Sequence, residues 1–405
     1  MSQSRKFSRR KFLNMAAAAS AGVAGLVLAP HISFAQDATP EATATPLPDA
    51  PPAGPLTAEA AGGMDALVAA ANKEAELSVI ALPDDWANYI EIKTNFKAKY
   101  PGIATFNDLN PEGSSADEVG AIQANAGNSG PQNPDVIDVG FLWGSKAKDA
   151  GLLQPYKVST WDTIPDALKD ADGYWYADYY GKMSFEVNAD VVTNVPQDWS
   201  DLLKPEYKGM IALSGDPTAA AQAVYLIWGA ALANGGSLDD PMPGLEFFKK
   251  LAEAGNLVGT ISSAATVAKG ETPITMRWDY NSLGNRDANK DSVNIQVLYP
   301  KSGTIAGVYI QAISAYSPRP NAARVWEEYL YSDEGQIAWL KGYATPARFD
   351  DLKKRGVIPA DVLAKLPATD IPVAIPTLDQ ITNATKVITS NWNSVVGVTI
   401  TAASS

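Results

Sequence analysis

The segment that most constrains the fold lies near the middle of the chain. Residues 175–192 read Trp-Tyr-Ala-Asp-Tyr-Tyr-Gly-Lys-Met-Ser-Phe-Glu-Val-Asn-Ala-Asp-Val-Val, rich in aromatic and β-branched side chains. Met183, Phe185 and Val187 fall on one face, and Lys182, Ser184, Glu186 and Asn188 on the other, which is the period-two pattern of a strand. Strand-like and helix-like stretches alternate before it. After the turn signal Asn194-Val195-Pro196 the alternation begins afresh. An extended segment between two α/β halves is the crossover that a two-lobed protein needs. Tyr179-Tyr180-Gly181 would then stand at the mouth of a cleft, with this segment as its hinge.

The flanking pattern supports that plan. Apolar strands are expected at 77–82, 103–109 and 134–140, with helices at 65–76, from Pro83 to Tyr100, from Ser114 to Ala126 and at 145–150. Beyond the hinge come a strand at 208–213, an all-round apolar helix at 219–233, a helix at 244–254, and strands at 272–280, 293–299 and 305–313. The last of these is a candidate for the return crossing. From Asn321 the chain turns helical, ending with a helix at 378–396. Strands alternating with helices make a parallel sheet covered on both faces. The expected domains are lobe 1 at 63–178, completed by about 306–345, lobe 2 at 179–305, and C-terminal helices at 346–405 packing on both.

The ends read differently. Ser8-Arg9-Arg10-Lys11-Phe12-Leu13, the apolar run 16–29 and Ser33-Phe34-Ala35 form a twin-arginine export signal over 1–35. Residues 36–62 are an Ala/Thr/Pro-rich linker, read as a flexible spacer leaning to polyproline II. Export removes five of the 32 basic residues and no acidic one, leaving 27 against 45 and a net charge of −18. That balance speaks against nucleic acid and anionic lipid as partners.

The missing residues narrow the chemistry. The chain has no cysteine, and its one histidine, His31, leaves with the signal. The mature chain therefore has no Ser-His-Asp or Cys-His pair, no thiolate, and no histidine to ligate a metal. Catalysis would fall to carboxylate pairs, Ser-Lys pairs or tyrosines, and no local signature picks any of these out. No metal or cofactor is expected, and stability must come from packing without disulfides.

Several stretches together resemble the extracellular solute-binding proteins of bacterial ABC importers. They include 67–74 before the first strand, Asn95–Ile103 at a helix end, Pro134-Asp135-Val136-Ile137-Asp138, the hinge from Asp178 to Asp190, 199–209, and Tyr331-Ser332-Asp333-Glu334-Gly335-Gln336. The resemblance covers 63–397. It implies a type II periplasmic-binding-protein fold: two α/β lobes joined by crossover strands, a solute held between them, a membrane permease as partner, and a monomer working outside the cytoplasm. It also implies a ligand among polyamines such as spermidine or putrescine, ferric iron, thiamine or phosphonates. Ferric binders carry a tyrosine pair late in the second lobe; here the comparable strand end reads Trp278-Asp279-Tyr280, and no histidine survives export, which speaks against iron.

Ligands of α/β sheets gather at the carboxyl ends of strands. Those ends supply Asp84 and Trp86, Ser115, then Asp138 and Trp143 in the first half, and Asp216, Thr218, Arg277, Trp278, Asp279 and Tyr280 in the second, with Tyr180 from the hinge. Tryptophans beside aspartates suit an organic ammonium, since a desolvated cation on an aromatic face gains up to ~2 kcal/mol. Competing readings stand beside these. Trp86 would equally pack in the core of its helix, Asp84 would cap that helix, and Arg277 would pair with Asp279 or, with Gly215–Thr218, hold an anion. The first expectation is a polyamine or similar cation. An amino acid, an aminophosphonate, thiamine, a non-transporting sensor and an exported carboxylate hydrolase are the alternatives.

Overall fold

The computed structural model describes residues 46–366 and 372–402. The export signal expected at 1–35 and the first part of the expected linker lie outside the described residues.

The first half builds strands β1 (Glu76–Ile80), β2 (Thr105–Leu109), β3 (Val136–Gly140) and the short β4 (Leu153–Gln154). β1 and β2 pair in parallel across the helix Tyr89–Lys99. The Asp135 amide donates to the Ser78 carbonyl at 2.8 Å, bringing β3 alongside β1. Next come β5 (Tyr176–Asn188), β6 (Ile211–Leu213), β7 (Ile274–Trp278), β8 (Ile295–Leu298), β9 (Ala306–Ser314) and β10 (Thr345–Pro346). The order in the larger sheet is β3-β9-β5-β7-β6.

β5 is the axis of the molecule. Its 13 residues would stretch roughly 40 Å, more than one sheet's width of pairing uses. Tyr176–Lys182 pair antiparallel with β9, whereas Met183–Asn188 pair with β7 and β8. One strand thus belongs to both halves. The chain returns along β9, whose preceding Ile305 carbonyl accepts from the Met183 amide at 2.9 Å. The fold is α/β and two-lobed, with β5 and β9 as the crossing strands.

Several local expectations shift. The polar face of β5 does not meet solvent: Ser184 and Glu186 are buried beneath the helix Asp279–Asn289, and Asn188 against the end of the helix Ala264–Ala268. Helix Asp279–Asn289 hides in the sequence because its asparagines, aspartates and glycine are weak helix formers. Asp279 and Tyr280 accordingly open a helix rather than extend β7. After Pro83 the chain makes a turn with Ala87 and Asn88 at positive φ before helix Tyr89–Lys99 begins, so Trp86 lies outside the helix. Phe141 starts its helix with no intervening loop. By contrast, Ser114 caps helix Ser115–Asn125 through a capping box with Asp117, as its sequence implies.

The spacer expected over 36–62 does not extend over its described end. Tyr316 Oη donates to the Pro48 carbonyl (2.8 Å), Arg324 Nε to that of Pro55 (3.1 Å), and the Lys157 amide to that of Leu56 (2.8 Å). These bonds fix the stretch against the first lobe. At the other end, helix Leu378–Val395 packs on helices Ala221–Ala233 and Met242–Glu253 and reaches helix Phe141–Asp149 of the opposite lobe. Among the described residues no helix is long and apolar enough to cross a membrane.

Candidate functional site

The strand ends converge on one cleft. β1 leads to Ala81, Pro83 and Trp86; β2 to the turn before Ser115; β3 to Asp138 and Trp143. The other lobe contributes Thr218–Ala221 after β6 and Trp278 at the end of β7, while the crossing strand β9 supplies Tyr309. The space divides into two adjoining recesses of about 360 Å³ and 220 Å³. Trp143, Tyr309 and Ala219–Ala221 line both.

Asp138 is the centre of the larger recess. Its place in β3 opposite Gln311 turns a carboxylate into an otherwise apolar interior, where it is only 6% exposed. Tyr89 Oη donates to Oδ2, and Tyr179 Oη reaches the same oxygen at 3.4 Å. Trp86 Nε1 donates to Tyr179 Oη at 2.7 Å. Tyr179 stacks on Tyr309 with ring centres 5.2 Å apart, and Tyr280 meets Trp86 edge-on at 5.3 Å. Oδ1 of Asp138 receives no hydrogen bond. Behind it, the Glu118 carboxylate accepts from the Asp138 amide at 2.8 Å, and Asp178 accepts from Gln311 Nε2 at 3.1 Å. No lysine or arginine is among the described residues lining this recess.

Burial pushes Asp138 up to about 7, although the tyrosine hydroxyls pull the other way. Burial raises Glu118 and Asp178 as well, and the nearby Asp138 charge adds to both. Asp138 lies against the Asp178 carboxyl, and its Oδ1 is shut off from solvent; a pair of buried acids walled by aromatic rings, with no basic side chain among the described lining, favours a cationic partner.

The smaller recess differs in kind. Leu142, Val224, Tyr225, Trp278, Val308 and Ile381 line it, and its one charged lining residue among those described is Lys146. The Lys146 ammonium stands 5.0 Å from the centre of the Trp143 ring. Room for Trp278 depends on Gly307, where a Cβ would lie 2.3 Å from the indole. Its register partner across the crossing strands, Gly181, makes room for Tyr280 in the same way, with 2.5 Å to the ring.

Trp86, Ser115, Asp138 and Trp143 therefore meet in the larger recess, and Trp143, Thr218 and Trp278 in the smaller. Ser115 also braces β3, its Oγ accepting from the Gly140 amide at 3.1 Å. Tyr280 is buried behind the wall rather than lining it. The other candidates are spent elsewhere. Asp84 pairs with Lys93 at 2.7 Å and is largely exposed. Asp216 closes its own loop on Thr218. Arg277 pairs with Glu186 at 3.2 Å and not with Asp279, because it points under helix Asp279–Asn289. Asp279 accepts from the Lys182 amide (2.9 Å) and Tyr299 Oη (2.8 Å), and shares with Tyr180 a separate recess behind the crossing strands. Of the hinge tyrosines it is Tyr179, not Tyr180, that faces the cleft. Tyr309 and Glu118 are site residues the sequence did not single out, and the sequence places Tyr179 at the cleft mouth only together with Tyr180.

The cleft has counterparts among known proteins. Residues 132–370 match the model of a family described as bacterial extracellular solute-binding proteins. Among curated proteins, the spermidine/putrescine-binding periplasmic protein of Escherichia coli strain K12 is 28% identical over 226 residues, 52% of this chain and 63% of that one. The match thus spans less than two thirds of that relative's length. Among solved structures, iron-bound HitA from Pseudomonas aeruginosa superposes with a TM-score of 0.60 at 17% identity, covering 79% of this chain and 99% of its own. The periplasmic binding protein AfuA from Actinobacillus pleuropneumoniae, with fructose-6-phosphate bound, gives 0.60 at 20% identity, with 80% and 99% covered. At these identities the two structures establish the fold alone: both are periplasmic binding proteins of the two-lobed type.

Proposed function

Since the chain belongs to the bacterial extracellular solute-binding family, we propose that it is the extracytoplasmic capture component of an ABC importer and that its solute is an organic ammonium compound. In this reading the lobes close on the solute, perform no reaction on it, and present the closed form to a membrane permease. The observation that carries the choice of ligand is the buried Asp138 carboxyl, set beside Asp178 at a recess of aromatic rings with no basic side chain among its described lining. The named partial relative binds spermidine and putrescine, which agrees with a cationic solute. The names of the two solved structures, with iron and a sugar phosphate, concern those proteins, and their likeness to this chain is one of fold.

A second reading has an observation of its own. Helix Ala221–Ala233 begins at the cleft without a side-chain cap, and its free amides would receive a carboxylate or phosphonate. Thermal-shift measurements on the purified protein with putrescine, 2-phenylethylamine, glutamate and 2-aminoethylphosphonate separate the two. A ligand at a hundred times its Kd adds about 2.7 kcal/mol of stability. Stabilisation by the amines supports the cation reading; stabilisation by anionic compounds alone overturns it.

A further inference from the structure

Resting on the organic-cation reading, we infer that the solute carries one cationic nitrogen and an uncharged, largely apolar tail, so that the cleft selects against linear diamines and polyamines. The two recesses divide the work between head and tail. The larger is lined by the Asp138 carboxyl, without a basic partner among the described residues, with Glu118 behind it and Trp86, Tyr179 and Tyr309 around it. The smaller, continuous with it past Trp143 and Tyr309, offers no carboxylate among its described lining residues. Its walls are Leu142, Val224, Tyr225, Trp278 and Ile381, softened by threonine hydroxyls at Thr218, Thr385 and Thr389.

A compound long enough to fill both recesses with an ammonium at each end would leave its second charge stripped of water among these groups. A buried charge without a counter-charge is costly. Among the described residues lining it, the one charge has the same sign: the Lys146 ammonium already stands over Trp143, the ring a second cation would use. An aryl or alkyl tail meets the opposite situation. It exchanges water for an indole, a phenol and aliphatic carbons, at the usual gain for buried apolar area. Helix Leu378–Val395 contributes Ile381, Thr385 and Thr389 to this recess and touches helices of both lobes, so the tail site is completed only where the C-terminal helix spans the cleft.

The test is titration calorimetry on the purified protein at pH 8, comparing 2-phenylethylamine, putrescine and 5-aminopentanoate. 2-Phenylethylamine is expected to bind at least tenfold more tightly than either of the others. Lys146→Glu, which reverses the one charge among the described residues lining the smaller recess, is expected to narrow the preference for 2-phenylethylamine over putrescine at least fivefold. Putrescine binding as tightly as the monoamine would overturn the inference while leaving the organic-cation reading in place. Preferential binding of 5-aminopentanoate would overturn it in favour of an anionic tail. If no amine binds at all, the organic-cation reading itself falls, and this inference with it.

Discussion

Replacing Asp138 by asparagine removes one charge from the cleft and almost no volume. The carboxylate is 6% exposed, its Oδ2 is held by Tyr89 and Tyr179, its Oδ1 receives no hydrogen bond, and the Asp178 carboxyl lies against it. A cation docked on the carboxylate at about 4 Å would gain ~4 kcal/mol at an effective dielectric constant near 20. Desolvation of both charges takes back part of this, and hydrogen bonds to charged groups are worth roughly 1.5–3 kcal/mol net. The asparagine carbonyl still accepts one weaker hydrogen bond, so the expected loss is about 2–3 kcal/mol, roughly 30- to 150-fold in Kd. Stability should move the other way, because the variant no longer buries an ionisable group; its Tm is expected at or above that of the parent at pH 8. Titration calorimetry with 2-phenylethylamine reads the first quantity and scanning calorimetry the second. A Kd changed by less than threefold in a variant that melts normally would refute the argument, since the ammonium would then be held elsewhere.

Affinity for a cation should also follow pH. With Asp138 near 7, lowering the pH from 8 to 6 protonates the carboxylate and weakens binding about tenfold, and near neutrality binding expels a proton, seen as a buffer-dependent enthalpy. Without ligand the sign reverses for stability. Asp138, Glu118 and Asp178 keep protons in the folded chain that the unfolded chain gives up above pH about 4, so Tm should fall as pH rises from 5 to 8, through the Asp138 value near 7. Arg277→Gln should leave amine binding within threefold yet cost about 3 kcal/mol in urea denaturation, because it strands Glu186 in the core. Gly307→Val should push the Trp278 indole from the smaller recess, costing about 1–3 kcal/mol of stability and weakening 2-phenylethylamine more than methylamine, which has no tail to place there.

How much of this was legible depends on whether a residue's neighbours are local. β5 could be read because thirteen consecutive residues keep one pattern, and a strand that long has to serve two sheets. Asp138 could be read because a charge within an apolar strand demands an account wherever the fold places it. The choice between Tyr179 and Tyr180 could not. Alternation separates them, but β5 slips register against β9 between Ala177 and Tyr180, and no periodicity foresees which face that slip turns to the cleft. Arg277 was misplaced for a related reason: its partner Glu186 lies across the sheet, whereas Asp279, two residues on, is carried away by a helix start that the polar run 281–289 conceals. Tyr309 reads as any strand aromatic and Glu118 as any acid in a first helical turn. The pairing of β3 with β9 brings Tyr309 to the cleft, and the packing of helix Ser115–Asn125 on β3 brings Glu118 to Asp138.

The same arrangement explains why three buried carboxyl groups, Asp138, Glu118 and Asp178, are tolerated beside the cleft with no basic partner among the described residues. Two other buried acids have a basic partner, Asp135 with Arg319 at 2.8 Å and Glu186 with Arg277, whereas Glu327 is buried without one. Asp138, Glu118 and Asp178 instead share tyrosine hydroxyls, a glutamine and backbone amides, groups that orient a carboxylate without neutralising it. Such a set is disfavoured in the empty protein as the acids ionise, and a captive cation relieves that cost by supplying the missing charge. The relief is available only when the cleft is dry, which requires the second lobe to bring Ala219–Gln222 over the recess. Closure and capture are then coupled by electrostatics as well as by contact: an uncharged isostere of the solute would fill the same space yet leave the acids unpaired. Comparing 2-phenylethanol with 2-phenylethylamine by small-angle scattering tests this coupling. The amine should reduce the radius of gyration and the alcohol should not, and equal compaction by both would mean that apolar contact alone closes the lobes.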